Sequence, residues 1–424
     1  MIEGRRLIPI AAWCLYDWAS ASFSIIVITF VFATYFTSVI AENKVVGTDQ
    51  WAHATSLAGL IIALTSPLFG AIADYGGHHQ RWLFGLTLIC VLSTALLWFA
   101  YPMHTSVPFT LTCVVIGTIG FEVALVFYNA FLPRVAPSHY LGRISGWGWG
   151  CGYIGGIIAL AIVQVVFFSG SEAWLNTKTA EEVRICGPFV ALWYGLFSLP
   201  LFFLVPEIKR TTAPLPKAIV SGWRELVRTI KKLPHEKNIF LYLIAHMIYT
   251  DGLNTLFAFG GIYAAGTYHL TLKEVLWFGI TMNIAAGIGA LTLSFMDDWL
   301  GSKKTVILSL ICLTGLGVPI LLLHDKWLFW FFSLFLSLFV GPVQSASRSL
   351  MVRLIDKSAS AEMFGLYALS GRITAFIGPW ILGTMTLFFN SQRVGMATVL
   401  VFFAIGAFLM LPVHYRHEKI ARSQ

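Results

Sequence analysis

A long apolar run near the start of the chain, residues 11–40, constrains the fold more than any other feature. A helix needs ~20 apolar residues to cross the hydrocarbon core of a bilayer, and this run exceeds that length. Its only acidic residue is Asp17. A carboxylate within lipid is costly, so it normally faces a bundle interior or a watery cavity. Asp17, Ser20 and Ser24 share one helix face, which predicts a polar path along a membrane-spanning helix.

The composition extends this interpretation to the whole chain. Apolar residues make up 57% of the 424 residues and charged residues only 11%. A soluble protein carries about 25% charged residues. We therefore predict an all-α membrane protein with twelve transmembrane helices. The apolar runs cover residues 11–40, 53–73, 82–101, 108–132, 143–168, 188–205, 239–265, 274–296, 304–323, 327–347, 362–387 and 394–412.

Lysine and arginine residues concentrate on one side of the predicted spans. They occur at the N-terminus, in the loops after even-numbered spans, in the segment between the two halves and in the C-terminal tail. By the positive-inside rule, both termini and the middle segment are cytoplasmic. The net charge of +8 is therefore a topology signal and gives no support to nucleic-acid binding.

The two halves of the chain repeat each other's landmarks. Asp17 is followed six residues later by Phe23, and Asp251 six residues later by Phe257. Parallel six-helix repeats of this kind are the architecture of alternating-access transporters of the major facilitator class. Two further pairs are loops, residues 70–81 with 297–304 and residues 132–142 with 351–365.

We therefore expect a major facilitator fold with two pseudo-symmetric six-helix bundles, residues 1–205 and 239–424, joined by a cytoplasmic linker at 206–238. Apolar and basic residues of the linker separate onto two faces of a helix. This pattern is typical of helices that lie among lipid headgroups, and a helix that binds a protein partner is the alternative. The apolar residues are Ile219, Val220, Trp223, Leu226, Val227, Ile230 and Leu233, and the basic ones are Lys217, Arg224, Arg228, Lys231 and Lys232.

Ionisable residues within the spans mark the predicted binding site. Asp17, Glu122 and Asp251 lie in spans one, four and seven, and Arg372 lies in span eleven. In a major facilitator arrangement, spans one, four, seven and ten line the central cavity. Burial disfavours the charged form of a carboxyl group, so proton exchange near neutral pH is available. The candidate residues for binding substrate or protons are Tyr16, Asp17, Glu122, Asn129, Asp251, Asn254, Gln344, Arg348 and Arg372.

Each of these groups also has a structural interpretation. The carboxylates can be satisfied by neighbouring hydroxyl groups or paired with Arg372, and Asp17 can belong to an inner gate. Arg372 either binds a solute carboxylate in a forked geometry or pairs with a protein carboxylate.

Two acidic residues at the starts of cytoplasmic loops, Asp74 and Asp298, predict a gate. Each can hydrogen-bond the N-terminus of a neighbouring helix and pair with an arginine when the inner side is closed. Loop charges without a role are the alternative. The arginines considered as partners are Arg134 or Arg143 for Asp74 and Arg353 for Asp298, and Arg81 completes the gating set.

Several motifs are more specific than spacing alone, and together they resemble the UMF ("unknown major facilitator") group of the major facilitator superfamily. This group is related to fungal autophagy-linked vacuolar amino-acid effluxers. The resemblance implies a twelve-helix secondary transporter, in a bacterial cytoplasmic (inner) membrane. One departure is the sequence His78-His79-Gln80 where further basic residues are common, which leaves Arg81 alone and predicts a weaker or pH-sensitive inner gate. The motifs include Tyr16-Asp17-Trp18-Ala19, Tyr128-Asn129-Ala130-Phe131-Leu132-Pro133, Asp251-Gly252-Leu253-Asn254-Thr255 and Ser370-Gly371-Arg372.

We therefore expect a monomeric, proton-coupled transporter of a small polar solute, with an amino acid as one candidate, and with membrane lipid as its surroundings. A transporter of a larger organic anion, such as a carboxylate metal chelator, is the alternative. A membrane sensor or enzyme without transport is a third interpretation, but the sequence has no nucleophile motif and no phosphate-binding loop. The six cysteines are scattered without metal-ligand spacing, so we expect no metal and no cofactor.

Overall fold

The computed structural model describes residues 4–168, 175–207, 215–270, 272–355 and 360–414. Within these ranges the chain is almost entirely helical and contains no β-strand. The α-helices are α1 (Gly4–Ser22), α2 (Val31–Tyr35), α3 (Lys44–Gly76), α4 (His79–Leu96), α5 (Val107–Val135), α6 (Leu141–Ile162), α7 (Glu181–Arg184), α8 (Cys186–Leu204), α9 (Leu215–Lys232), α10 (Lys237–Tyr268), α11 (Leu272–Leu293), α12 (Phe295–Leu300), α13 (Ser302–Leu322), α14 (Lys326–Leu354), α15 (Ser360–Arg372), α16 (Ile377–Phe388) and α17 (Gln392–Met410). Segments of π-helix (Phe23–Phe30, Phe36–Ile40, Val163–Phe168) and 3₁₀-helix (Leu97–Phe99, His104–Ser106, Ser138–Tyr140, Thr177–Thr179) extend or connect them.

Ten helical stretches in the described part of the chain are long and apolar enough to cross a membrane. The other two predicted spans are present in altered form. The seventh is α10, a continuous helix of 32 residues that carries several polar side chains. The eleventh is divided into α15 and α16, each too short to cross a bilayer alone. Pro379 explains the division, because proline lacks an N–H group and its ring clashes with the carbonyl four residues earlier.

The helices form two compact units that do not follow the halves of the sequence. Unit 1 consists of Met1–Thr65, Gly76–Phe131 and Cys151–Pro214. Unit 2 consists of Ser66–Tyr75, Leu132–Gly150 and Leu215–Gln424, so it combines the second half of the chain with two short segments from the first. The division into bundles at 1–205 and 239–424 with a linker at 206–238 stays a prediction based on the repeat.

A buried arginine fastens one end of unit 1. The Arg184 side chain is almost completely enclosed. Its Nε atom donates to the Trp98 carbonyl oxygen at 2.7 Å, and Nη1 donates to the Thr179 carbonyl oxygen at 3.2 Å. The guanidinium carbon also lies 3.7 Å from the centroid of the Tyr101 ring. Because a buried cation needs such partners, this contact joins α7 to the segment that follows α4.

Close approach of backbones defines the interior of unit 2. A Cβ atom added at Gly289 in α11 would overlap the Leu338 carbonyl oxygen in α14. A Cβ atom at Gly341 in α14 would overlap the Ala286 carbonyl oxygen in α11. Small residues permit this proximity where lipid leaves no hydrophobic driving force between helices. The α11–α14 contact therefore depends on glycine on both sides.

We expect Gly289→Ala to destabilise the protein by about 2 kcal/mol, because the added methyl group forces α11 and α14 apart. Gly279→Ala in the same helix is the matched control, since nothing lies within 4 Å of a Cβ atom there. Alanine has the higher helix propensity, so the control should be neutral or more stable by up to ~1 kcal/mol. Thermal unfolding in detergent, followed by fluorescence-detected size exclusion, measures both changes. Equal effects of the two variants would contradict the predicted contact.

Candidate functional site

Asp17 in unit 1 is held by an aromatic cluster. The Tyr128 hydroxyl group of α5 donates to Asp17 Oδ2 at 2.8 Å. The Tyr128 ring is stacked between Trp13, at a centroid distance of 4.5 Å, and Tyr16, at 4.9 Å. The Trp13 indole N–H also donates to the Tyr128 carbonyl oxygen at 3.1 Å. These contacts fix the position of a partly exposed carboxyl group on α1 relative to α5.

Tyr16, also predicted to bind substrate or protons, lies in the interior of unit 1. Its side chain is fully buried, and its hydroxyl group is hydrogen-bonded to Thr87 at 2.7 Å and Tyr194 at 2.8 Å. These protein partners orient the helix that carries Asp17. Its hydrogen bonds to Thr87 and Tyr194 are structural, and a direct role of Tyr16 in binding a ligand stays a prediction.

Glu122 and Asn129 lie on α5, seven residues and therefore two turns apart, on the same side of the helix. Both side chains are partly exposed, whereas most of their immediate neighbours in α5 are buried. The structure thus places an acidic and an amide side chain along one accessible edge of α5. This placement is consistent with a polar solute path, whose existence stays a prediction.

Asp251 in unit 2 lies beside the break in span eleven. Its side chain is buried, and Oδ2 accepts a hydrogen bond from the Gly378 backbone N–H at 3.0 Å. Gly378 is the second residue of α16, so the carboxyl group caps a helix N-terminus, where backbone N–H groups lack intrahelical partners. A Cβ atom at Gly378 would overlap the Thr255 hydroxyl oxygen. Oδ1 of Asp251 is buried and has no hydrogen-bond partner among the described residues.

Arg372 is the last residue of α15 and so lies on the opposite side of the same break. Its side chain is exposed, as is that of Asn254, which follows Asp251 by three residues on α10. All three residues were predicted to belong to the binding site, whereas the break that separates α15 from α16 was not predicted. Gly378-Pro379 was the signal that could have revealed it.

Arg348 makes a helix–helix contact within unit 2. The guanidinium group is buried, with Nε donating to Ser145 Oγ at 2.9 Å and Nη2 donating to the Ser145 carbonyl oxygen at 2.5 Å. Ser145 Oγ in turn donates to the Ser345 carbonyl oxygen at 2.8 Å. This arrangement joins α14 to α6. Gln344, one turn earlier on α14, remains partly exposed.

The two predicted gate acids both reach helix N-termini, as expected. Asp298 Oδ1 accepts hydrogen bonds from the backbone N–H groups of Gly142 at 2.9 Å and Arg143 at 3.3 Å, at the start of α6. Asp74 Oδ2 accepts a hydrogen bond from the Glu362 backbone N–H at 2.8 Å, at the start of α15. We call these residues, together with Asp297, Ser349 and Arg353, the basic-end cluster. All of them belong to unit 2.

The arginine partners in this cluster differ from the prediction. Asp298 Oδ2 lies 3.2 Å from Nε of Arg143, whereas Arg353 Nη2 lies 3.3 Å from Oδ1 of the adjacent acid, Asp297. The predicted pairing of Asp298 with Arg353 is therefore wrong. Asp297 is completely buried and also accepts a hydrogen bond from Ser302 at 2.6 Å. The predicted gate residues Arg81 and Arg134 have exposed side chains.

Three polar residues of this region were not among the predicted site residues: Asp297, Ser349 and Glu362. The Ser349 hydroxyl group is hydrogen-bonded to Asp297 Oδ2, and Glu362 supplies the N–H group that Asp74 binds. The consecutive acids at 297 and 298 were a signal that two partners would be needed. Nothing in the sequence distinguishes which acid takes which arginine.

Solved structures of membrane transporters share the fold. The proton:xylose symporter XylE matches with a TM-score of 0.76 and 12% identity, over 98% of this chain and 97% of that one. The major facilitator transporter FucP in its outward conformation also matches with a TM-score of 0.76 and 12% identity, over 97% of this chain and all of that one. The protein therefore has the major facilitator fold.

The chain belongs to the family described as vacuole effluxer Atg22 like, whose model matches residues 51–422. An uncharacterized MFS-type transporter, YxiO of Bacillus subtilis, is 26% identical over 94% of this chain and 93% of its own length. Autophagy-related protein 22-2 of Aspergillus clavatus is 27% identical over 63% of this chain. The match covers 46% of that fungal protein, so this chain corresponds to about half of its length.

We expect Asp298→Asn to loosen the basic-end cluster. The substitution removes the negative charge that faces Arg143 and the N-terminus of α6, and a hydrogen bond to a charged group contributes about 1.5–3 kcal/mol. Met351 is fully buried on α14 between Ser349 and Arg353, so Met351→Cys reports on opening. Labelling of this cysteine by a water-soluble maleimide should accelerate by about tenfold.

The matched control is Asp325→Asn, which removes the negative charge at the N-terminus of α14, while the asparagine oxygen can still accept the hydrogen bond that the Leu328 backbone N–H donates to Asp325 at 2.9 Å. This variant should leave the labelling rate of M351C unchanged. Labelling of the six native cysteines is subtracted with the chain that lacks M351C. Equal acceleration in both variants would mean that general instability, and not the Asp298 contact, controls access.

Proposed function

We propose that this transporter moves a small polar solute by alternating access and couples the movement to protons. The observation that carries the proposal is the break in span eleven, which is flanked by Asp251 and Arg372 and places the N-terminus of α16 within the span. Helix N-termini at such breaks attract anionic groups of substrates in several transporter folds. Non-helical backbone inside a membrane is tolerated only where it is buried in protein or lines a water-filled cavity. Such a break therefore favours a role in binding or movement.

An amino acid fits the chemistry of this region. Its carboxylate complements the Arg372 guanidinium group, which can bind it in a forked geometry. Its ammonium group complements a carboxylate, and Asp251 is the one that lies beside this break. The resemblance to fungal vacuolar amino-acid effluxers favours the same class of solute. The other candidates for contact are side chains with exposed surface, namely Asn254, Gln344 and Arg372 in unit 2 and Asp17, Glu122 and Asn129 in unit 1.

Asp251 is the preferred proton carrier. Its Oδ2 atom accepts a hydrogen bond from the Gly378 backbone N–H, while Oδ1 accepts none within the described residues. An oxygen without a hydrogen-bond donor can take up and release a proton without first breaking an existing contact. Protonation also removes the negative charge that caps α16, so proton binding changes the electrostatics of the break.

The basic-end cluster supports a gating role. Asp74 and Asp298 each bind backbone N–H groups of a helix from the other half of the sequence. These contacts must break when that end of the transporter opens. By the distribution of lysine and arginine this end is cytoplasmic, and both termini lie on the same side. The membrane we propose is the inner membrane of a bacterium. We propose a monomer surrounded by lipid as the working unit.

Transport of a larger organic anion, such as a carboxylate metal chelator, is the second candidate. It is favoured by the exposed Arg372 beside the positive end of α16. The contacts of Arg348 weaken this second candidate. Nε and Nη2 of the Arg348 guanidinium group both donate hydrogen bonds to Ser145, so these two atoms are already engaged within the protein.

We expect Asp251→Asn to abolish proton-driven transport while the protein stays folded. Asparagine keeps an oxygen that accepts the Gly378 N–H but cannot exchange a proton at neutral pH. The measurement is uptake into proteoliposomes, with an imposed pH gradient, from a pool of the twenty radiolabelled amino acids, followed by the single amino acids. Counterflow without a gradient should persist, because it needs no proton movement and the asparagine oxygen can still accept a hydrogen bond from the solute.

Asp49→Asn is the matched control. This aspartate is exposed at the other end of the spans and pairs with His53 on the same helix, so the variant should retain full uptake. Wild-type uptake of citrate-like anions in place of amino acids would favour the second candidate. Undiminished proton-driven uptake by Asp251→Asn would remove Asp251 from the coupling mechanism.

A further inference from the structure

Helix α9 (Leu215–Lys232) presents three chemically distinct sides. Successive helical residues turn by about 100° around the axis, which sorts the side chains of α9 into three groups. The inner face consists of Ala218, Gly222, Glu225, Leu226 and Thr229, all buried or partly buried. The apolar face consists of Ile219, Val220, Trp223, Val227 and Ile230, and the basic face of Lys217, Arg224, Arg228, Lys231 and Lys232.

The inner face of α9 packs on the basic-end cluster. A Cβ atom at Gly222 would lie 2.8 Å from the Ile72 Cα atom, so α9 and α3 approach closely at this point. Thr229, two turns later, lies near the carboxyl group of Glu362. Ile72 lies two residues before Asp74, and Asp74 binds the Glu362 backbone N–H. Helix α9 therefore packs on the end of α3 that carries Asp74 and lies near Glu362 at the start of α15.

The other two faces are unsuited to bulk water. Trp223 and Val220 are more than half exposed, and Ile219 and Ile230 nearly so. These side chains lie next to five cationic residues, while the one acidic residue of α9, Glu225, is on the inner side and paired with Arg228 at 2.7 Å. An apolar stripe beside a basic stripe is the surface that a bilayer with anionic headgroups accepts. Charge complementarity thus identifies the occupant as an anionic lipid surface.

We propose that α9 couples anionic lipid to the gate: insertion of its apolar face among anionic headgroups presses Gly222 against Ile72 and stabilises the closed Asp74–Glu362 contact. Without such lipid the basic face repels itself and α9 is less firmly held, so the basic-end cluster opens more often. Lipid composition then sets how readily this end of the transporter opens.

The inference rests on the gating role proposed for the basic-end cluster, but its readout requires neither a substrate nor transport. The probe is M351C, whose labelling rate measures opening of the cluster. The full-length protein is placed in nanodiscs of phosphatidylcholine alone, or of phosphatidylcholine mixed with phosphatidylglycerol. We expect labelling to be about tenfold slower in the mixed nanodiscs.

Two triple variants with the same loss of charge locate the lipid-binding surface. Lys217, Arg224 and Lys231 follow one another at seven-residue spacing along the basic face, and K217Q/R224Q/K231Q should remove the difference between the two lipids. K178Q/K237Q/K304Q, at exposed positions outside α9, is the control and should preserve it.

Each outcome decides the proposal. Equal labelling of the M351C protein in both lipids, or an undiminished lipid effect in the α9 triple variant, would overturn it. Slower labelling on addition of polyglutamate to phosphatidylcholine nanodiscs, without any effect of phosphatidylglycerol, would instead identify an acidic protein as the occupant and also overturn it. Amino-acid uptake is measured in a separate assay. Failure of the lipid effect can therefore be distinguished from failure of the proposed transport function.

Discussion

The contact on which unit 2 most depends is a carboxyl group bound to the first backbone N–H groups of a helix. Within the described residues it joins distant segments three times, with Asp298 at α6, Asp74 at α15 and Asp251 at α16. The first N–H groups of any helix lack partners within that helix, and a membrane offers little water to satisfy them. A carboxylate meets this need and also complements the positive end of the helix dipole. Each of these bonds joins segments that are more than a hundred residues apart in sequence.

The strength of this interaction suits a gate. A hydrogen bond to a charged group contributes about 1.5–3 kcal/mol to stability. Two such contacts at the basic end therefore favour the closed cluster by a few kilocalories per mole, which the differential binding of a solute or a proton can offset. An apolar interface of similar area would be harder to reverse, because its separation would expose hydrocarbon to water. The basic-end cluster thus combines a defined geometry with reversibility.

The sequence predicted the parts of the structure that depend on local composition. Apolar runs gave the spans, and the repeat gave Asp74 and Asp298 as equivalent acids at helix N-termini, which the structure confirms. The break at residues 373–376 was missed because a long apolar run outweighed Gly378-Pro379. The exchange of partners between Asp297 and Asp298 could not be predicted, since adjacent helical residues point about 100° apart and only the tertiary packing decides which faces Arg353. Arg348 was assigned to a solute path for a similar reason, as its partner Ser145 is two hundred residues away in the sequence.

The repeat places Asp17 and Asp251 at equivalent positions, yet their local partners give them different chemistry. Asp17 is partly exposed and accepts a hydrogen bond from the Tyr128 hydroxyl group, which can rotate and can itself accept a bond. Asp251 is buried and bound to a backbone N–H, which is fixed in direction and can only donate. A proton on Asp17 can therefore be accommodated by turning a hydroxyl group, without displacing a helix. A proton on Asp251 instead weakens the cap of α16. Pseudo-symmetry thus determines where an acid lies, whereas the donor beside it determines whether its protonation can move a helix.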